Sequence, residues 1–403
     1  MRILHTSDWH FGKHLENRSR IPEQELFVDE LAAIADREKA DLILVAGDIY
    51  DTYNPSAEAE QLCYKALLLL SKNGSRPIVL IPGNHDSPER IAAPATLAAR
   101  SGIFIIDSQK TLIESQTFEK FSVSGKMGAS IEITIGDETA IIACVPFPSE
   151  KRLSEVFEGE VTEEGLQKTY SEKVGEIFGR LSEPYRDDTI NLAMGHFFVS
   201  GGELSGSERE IQLGGSYSVD PSALPAKAQY IALGHLHRPQ KAAGVSNAYY
   251  SGSPVQYSKS ETGYAKCVYM VEAHVGKEPV IDKIHLSNYK PVEVWPFKSI
   301  EEAIAACEKR AGENTWVFIE IETDRPLKPS EIRAMKTAKD DIVEIRPIYD
   351  KAEKVSREKE AEKTIAEEFI GFYTKQKGVG PGEETLKLFL ALCGEAGYET
   401  AEA

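Results

Sequence analysis

Five short apolar runs limit what this chain can become: Ile3-Leu4, Leu42-Ile43-Leu44-Val45, Ile78-Val79-Leu80-Ile81, Ile190-Asn191-Leu192-Ala193 and Tyr230-Ile231-Ala232-Leu233. Runs of this kind, bounded by Gly or Pro and separated by helical patterns, read as buried strands of an α/β sheet. A polar cluster follows each one: Asp8-Trp9-His10, Gly47-Asp48-Ile49-Tyr50-Asp51, Gly83-Asn84-His85-Asp86, Gly195-His196 and Gly234-His235-Leu236-His237. Polar residues at the carboxyl ends of such strands meet in one crevice, so residues far apart in sequence share a site.

Any one of these clusters is explained as well by turn formation or capping. Together they bring two Asp, one Asn and four His to strand ends, namely Asp8, His10, Asp48, Asn84, His196, His235 and His237. That set is hard to assemble as surface decoration. In Asp8-x-His10 and His235-x-His237, period-two alternation is expected to aim both side chains of each pair the same way. No Cys accompanies them, which disfavours a thiolate zinc site, while mixed imidazole, carboxylate and amide oxygen suits manganese, iron or a similar ion. Seven ligands exceed the needs of one ion and fit two divalent ions, roughly 3.5–4 Å apart and sharing a carboxylate, the arrangement of in-line phosphoryl displacement.

The five clusters resemble the calcineurin-like metallophosphoesterase superfamily. Longer strings are similar to the SbcD family, the nuclease subunit of the bacterial SbcCD complex: residues 3–13, 82–87 and 234–240, with Gly195-His196-Phe197-Phe198-Val199-Ser200-Gly201-Gly202 and Tyr250-Ser251-Gly252-Ser253-Pro254 in support. The likeness is strong over the first 270 residues or so, and the layout of the remainder fits. It implies one metal held by Asp8, His10, Asp48 and His237, and a second by Asp48, Asn84, His196 and His235, with Asp48 as the bridge. It also implies that His85 faces the scissile phosphate, with Asp86 placed to orient its imidazole. The implied fold is a layered αββα metallophosphoesterase sandwich with a small α/β capping domain and C-terminal helices.

Around these clusters the sequence leaves choices. Asp51 either backs a ligand or caps the turn before Pro55. His14, in the loop after the first cluster, is either a substrate contact or plain loop; His5 reads as a core histidine, and His274 and His285 as surface residues. A formal charge of −18 argues against the chain as a general polyanion binder, since diffuse attraction to DNA rests on neutralised phosphates. Lys13, Arg18, Arg20, Arg90, Arg238 and Lys241 flank the clusters and offer local contacts or solvated surface. Five cysteines without close spacing, Cys63, Cys144, Cys267, Cys307 and Cys393, read as buried free thiols in a reducing cytoplasm. With no leader pattern and no apolar stretch approaching 18 residues, neither export nor membrane spanning is expected.

At 403 residues the chain exceeds one core, and three parts are expected: a nuclease domain over 1–287, a capping domain over 288–350, and a linker with C-terminal helices over 351–403. Helices are expected over 22–39 and 56–71, the second unusually apolar and either core or packed on a second copy of the subunit. Short strands are expected over 103–145, and residues 201–220 read as a long loop that covers the site, meets a partner or is plain surface. Past 288 the pattern is βαβαβ; past 351, Ile365, Phe369, Phe372 and Tyr373, then Leu386, Leu388, Phe389, Leu390 and Leu392, suggest two amphipathic helices too small for a core of their own. By resemblance that end docks on an SbcC-type coiled-coil ATPase. The resulting expectation is a manganese-dependent homodimeric DNA nuclease of repair, recombination and replication, a 3′-to-5′ double-strand exonuclease and a single-strand and hairpin endonuclease. Its rivals are an enzyme for small phosphodiesters and a non-catalytic scaffold.

Overall fold

A computed structural model describes residues 1–149, 163–208 and 218–349, and beyond them 369–374, 380–382, 385–386 and 388–389. All five apolar runs are strands, divided between two sheets. The first sheet runs in the order Val280–His285, Cys267–Glu272, Arg2–Thr6, Leu42–Ala46, Ile78–Ile81, Ile103–Ile105. Its last four strands are parallel, as expected of runs joined by helical crossovers. The second runs Gln240–Lys241, Ala248–Tyr250, Tyr230–Gly234, Ile190–His196, Glu138–Val145, Ser130–Ile135, Phe121–Gly125, Gln116–Thr117. Antiparallel strands over 116–145 match the short strands expected there, with Gly136 at φ +58° in the turn.

The layering follows from period-two alternation in doubly covered strands. Leu42, Leu44 and Ala46 face the core shared with Ile141, Ala143, Leu192 and Leu233 of the second sheet. Ile43 and Val45 face a separate core with Phe27, Leu31, Leu62 and Leu70 from helices Ile21–Arg37 and Ala57–Ser71. On the outer face of the second sheet, helix Glu163–Leu181 supplies Val174, Ile177 and Phe178. The order is therefore helix, sheet, sheet, helix.

The first of these helices starts with Pro22 in its opening turn and stops short of residue 39, because Lys39 adopts a left-handed conformation at φ +54°. The second is capped by the Ser56 hydroxyl accepting from the Ala59 N–H. It buries Leu62, Cys63, Ala66, Leu67 and Leu70 but leaves Tyr64, Leu68 and Leu69 exposed. Cys63, Cys144, Cys267 and Cys307 are buried free thiols, and no helix among the described residues is long and apolar enough to cross a membrane.

Two compact units emerge: Met1–Ile321 with Leu327–Arg346, and Glu322–Pro326 with the chain from Pro347 on. The βαβαβ pattern past residue 288 is realised as strands Val292–Phe297, Trp316–Glu322 and Ile342–Ile348 with helices Ile300–Lys309 and Pro329–Ala338. It has a core of its own around Trp295, Ala303, Ile319 and Met335. Leu15 packs with Val292, Trp316 and Phe318 where this layer meets the body, and the Trp316 indole N–H donates to Glu23 Oε1 at 2.7 Å. In the second unit Phe369 and Phe389 stack at 3.9 Å, leaving Phe372 and Leu388 exposed. Ile365, Leu390 and Leu392 lie outside the described residues.

Glu23 also sits 3.2 Å from the guanidinium of Arg20, and both side chains are buried. Replacing one partner of a buried pair strands the other's charge. Glu23→Ala is expected to lower stability in urea by about 3–5 kcal/mol, whereas at the exposed Glu25 of the same helix the same change stays within about 0.5 kcal/mol.

Candidate metal centre

Apart from His196, the last residue of strand Ile190–His196, the candidate ligands lie beyond the strands rather than on them. The strand of Asp8 and His10 ends at Thr6, and that of His235 and His237 at Gly234. Asp8, His10, Asp48 and His235 take positive φ values of 53°, 46°, 52° and 107°. Such values are uncommon for residues with a Cβ and gather at functional sites. This corrects the expectation that strand alternation aims the two D-x-H and H-x-H pairs. Left-handed turns aim them instead.

Long-range hydrogen bonds hold the turns. Asp8, His10 and Phe11 donate their N–H groups to the carbonyls of Gly47, Asp48 and Ile49, each at 2.9 Å. Carboxylates then staple loop to loop: Asp8 Oδ1 accepts from His235 N at 2.9 Å, and Asp48 Oδ1 from His85 N at 2.9 Å. Asp86 accepts from Ile49 N, Tyr50 N and Gly83 N at 3.0, 2.9 and 2.8 Å. Gln24 closes the first loop by donating to the His10 carbonyl and accepting from Gly12 N.

All seven candidate ligands come together and all are buried. His10 Nε2 lies 3.0 Å from His237 Nε2 and 3.5 Å from Asp48 Oδ2. His196 Nε2 lies 3.4 Å from Asp48 Oδ2 and 3.0 Å from Asn84 Oδ1, and His235 Nδ1 is 3.0 Å from the same amide oxygen. Asp8, His10 and His237 form one group able to hold a cation, and Asp8, Asp48 and His196 another. The donor set can be tested at His196. Its Nδ1 donates to the Ala46 carbonyl at 2.8 Å, so the Nε2 of a neutral ring is a bare lone pair, and it faces carboxylate and amide oxygens that are acceptors themselves. Lone pairs converging on a common space, from imidazole and oxygen with no thiolate, fit divalent cations.

Electrostatics favour the same use. Burial lowers the His10 imidazole to about 3, and burial with the neighbouring His196 lowers His235 to about 3, so both stay neutral with free lone pairs. Burial also pulls on His196, but the Asp48 carboxylate outweighs it and holds that imidazole up at about 9. Burial raises Asp8 to about 6, against the pull of His196 and His237. The same Asp48 charge is one that a divalent cation would balance.

His85 stands at the rim, its ring edge-on to His10 at 4.7 Å between centroids. Its Nδ1 donates to the Asp51 carbonyl at 2.7 Å. The expected orienting role of Asp86 is thereby corrected: both Asp86 oxygens are occupied by backbone N–H groups, and the residue builds the loops instead. Burial and the Asp48 charge raise its carboxyl to about 7, opposed by those N–H groups. Asp51 Oδ1 sits 3.6 Å from His10 Nδ1 and is ion-paired with Lys13 Nζ at 2.6 Å. His14 is exposed and bonded to the Gly12 carbonyl, and His5 is a core residue bonded to the Tyr230 hydroxyl. Of the residues around His237, Ser205, Ser207 and Glu208 belong to the 201–220 loop read from sequence as a possible cover of the site, and Ser207 and Glu208 do reach His237; Glu261 and Lys266 carry no sequence signal beyond the neighbouring Ser251-Gly252-Ser253-Pro254 motif.

The flanking basic residues are engaged within the chain. Lys13 pairs with Asp51, Arg90 with Glu60 and Arg238 with Glu203; Arg18 donates to the Asp340 and Ile342 carbonyls, and Arg20 is buried beside Glu23. Lys241 lies over the Tyr249 ring.

A family model for calcineurin-like phosphoesterases matches residues 1–239. Over 407 aligned residues, which take in 100% of both chains, the sequence is 39% identical to the SbcD component of the SbcCD nuclease of Bacillus subtilis. The component of the same name from Rhodobacter capsulatus is 31% identical over 342 residues, 81% of this chain and 82% of its own. That from Staphylococcus epidermidis is 28% identical over 303 residues, 75% and 71% respectively.

The closeness of the loops yields a test. A Cβ on Gly83 would fall 2.1 Å from Asp48 Oδ1 and 2.4 Å from Asp48 N, whereas one on Gly179 meets nothing. Gly83→Ala is expected to weaken divalent-cation binding by about 10–100-fold in calorimetric titration with the circular dichroism spectrum kept. Gly179→Ala, on an exposed helical turn, is expected to leave binding unchanged.

Proposed function

Because the chain belongs to the calcineurin-like phosphoesterase family and, within it, to the SbcD family, we propose that it is the nuclease subunit of an SbcCD-type complex, a metal-dependent phosphodiester hydrolase acting on DNA. The observation that carries this reading is the convergence of seven buried N and O donors from five loops, with His85 beside them. Asp8, His10, Asp48 and His237 would hold one divalent ion and Asp48, Asn84, His196 and His235 the other, manganese being the proposed metal. When bound, the pair supplies Lewis-acid charge for the attacking and leaving oxygens of an in-line displacement.

The chain's own groups do the rest. Burial keeps His10 and His235 unprotonated, and the Ala46 carbonyl fixes the proton of His196 on Nδ1, so their other nitrogens are directed inward. With Nδ1 tied to the Asp51 carbonyl, His85 presents Nε2 to the substrate, where it donates a proton to the leaving sugar oxygen. Asp86 acts at one remove, by holding the loops of Asp48 and Asn84 together. The proposed activities are 3′-to-5′ exonuclease action on double strands and endonuclease action on single strands and hairpins, in repair, recombination and replication.

Partners are proposed on two surfaces. Exposed Tyr64, Leu68 and Leu69 on helix Ala57–Ser71 offer a face for a homodimer, and exposed Phe372 and Leu388 offer apolar side chains to a coiled-coil ATPase. Net charge of −18 and internally paired basic residues leave little diffuse grip on DNA, which fits a nuclease that relies on its partner for hold.

Manganese-dependent cleavage of a blunt or hairpin duplex tests the reading, with a generic bis-phosphodiester as control. His85→Gln is expected to cut about 10²–10⁴-fold more slowly while binding manganese as before. Hydrolysis of the control with no DNA cleavage, even with ATPase partner and ATP, would replace the nuclease with an enzyme for small phosphodiesters. Truncation after Asp350 is expected to spare bis-phosphodiester hydrolysis and abolish ATP-stimulated cutting of ends; ATPase binding retained after truncation would remove the docking proposal.

A further inference from the structure

The loop after strand Ile190–His196 returns across the end of the next strand, and residues 203–208 are sewn to residues 237–240. Glu203 N donates to Gln240 Oε1 at 2.9 Å, and Gln240 Nε2 to the Glu203 carbonyl at 2.7 Å. Closer to the metal centre, Glu208 Oε1 accepts from the His237 N–H at 2.9 Å while Oε2 accepts from Ser205 N and Gly206 N, each at 2.9 Å. One carboxylate thus clasps the loop to the residue that offers its Nε2 to the first proposed ion.

The same carboxylate reaches the imidazole through two hydroxyls. Ser205 Oγ donates to Glu208 Oε1 at 2.7 Å, which commits its only proton. At the 2.8 Å contact between the two serines, Ser207 must then be the donor and Ser205 the acceptor. Ser207 Oγ is left with lone pairs toward His237 Nδ1 at 2.7 Å, so Nδ1 carries the proton and Nε2 is bare. The nearest rival, Glu261 Oε1, stands 3.5 Å from Nδ1, and its other oxygen is taken by Lys266 and Ser253. Proton donation therefore runs one way, from imidazole through Ser207 and Ser205 to Glu208.

We infer that Glu208, acting through Ser205 and Ser207, is a positioning residue that fixes the tautomer and orientation of His237 and so the affinity of one of the two metal sites. The inference rests on the two-metal reading above. Imidazole ligands are commonly set by a partner on their other nitrogen, and loss of such a partner typically weakens metal binding. His196 has a partner of its own in the Ala46 carbonyl, and no bond of this relay involves Asn84, His196 or His235, so the second site is not reached by it.

Calorimetric titration of the full chain with manganese chloride tests it without recourse to activity. Wild type should take up two ions. Ser207→Ala and Glu208→Ala should each weaken one of them by about 10–100-fold and leave the other within about threefold, with unchanged circular dichroism. Ser207→Thr keeps the hydroxyl and should bind as wild type. Wild-type affinity for both ions in Ser207→Ala and Glu208→Ala would overturn the inference, as would equal weakening of both ions, which marks a general structural role. A wild type that takes up no manganese would overturn the metallophosphoesterase reading itself and the positioning role with it.

Discussion

Carboxylate capture of backbone N–H groups across loops is the interaction on which the rest of this molecule depends. Parallel strands of two sheets deliver five loops to one edge, but strand pairing stops at residues such as Thr6, Ala46 and Gly234. Beyond that point only cross-loop bonds hold the backbone. Asp8 takes the N–H of His235, Asp48 that of His85, and Asp86 those of Gly83, Ile49 and Tyr50. Left-handed conformations at Asp8, His10 and Asp48 cost energy individually and persist where surroundings over-determine them. These staples do that. Because charged acceptors make the stronger hydrogen bonds, three aspartates, together with Gln24 and the backbone bonds from Asp8, His10 and Phe11, order loops that carry little regular structure.

The same economy explains how the site tolerates its own charge. Two buried carboxylates beside four buried imidazoles would be costly if each ionised freely, yet burial keeps His10 and His235 neutral and Asp48 sustains the charge of His196. The result is a centre with a local demand for positive charge. On an acidic chain whose basic side chains near the site are paired with Asp51, Glu60 and Glu203, that demand is confined to the centre and is not spread over the surface.

Much of this was legible in the residue order. Continuous apolar runs identified the strands because both faces of each are covered, by the other sheet on one side and by helices on the other. The βαβαβ layer was readable past residue 288, since Ser299 capping, Pro329 and the spacing of apolar residues are local signals. The Asp86 role was misread for the opposite reason: beside His85 in sequence, its carboxylate points to Ile49 and Tyr50, more than thirty residues back. Nor did any local pattern connect Ser207 and Glu208 to His237, because that contact exists only once adjacent strand-end loops fold together.

By itself, then, the sequence determined which segments become strands and that residues of metal-ligand type gather at their carboxyl ends. Covalent order and side-chain period are enough for that. Tertiary structure alone decided how the donors are aimed, by left-handed turns in place of strand alternation, and which neighbours hold the imidazoles: Asp51 for His85, Ala46 for His196, Ser207 for His237. The physical reason is range. Strand formation is written in neighbours a few residues apart, whereas the orientation of an imidazole is set by a hydrogen-bond partner that chain packing brings from anywhere in the molecule.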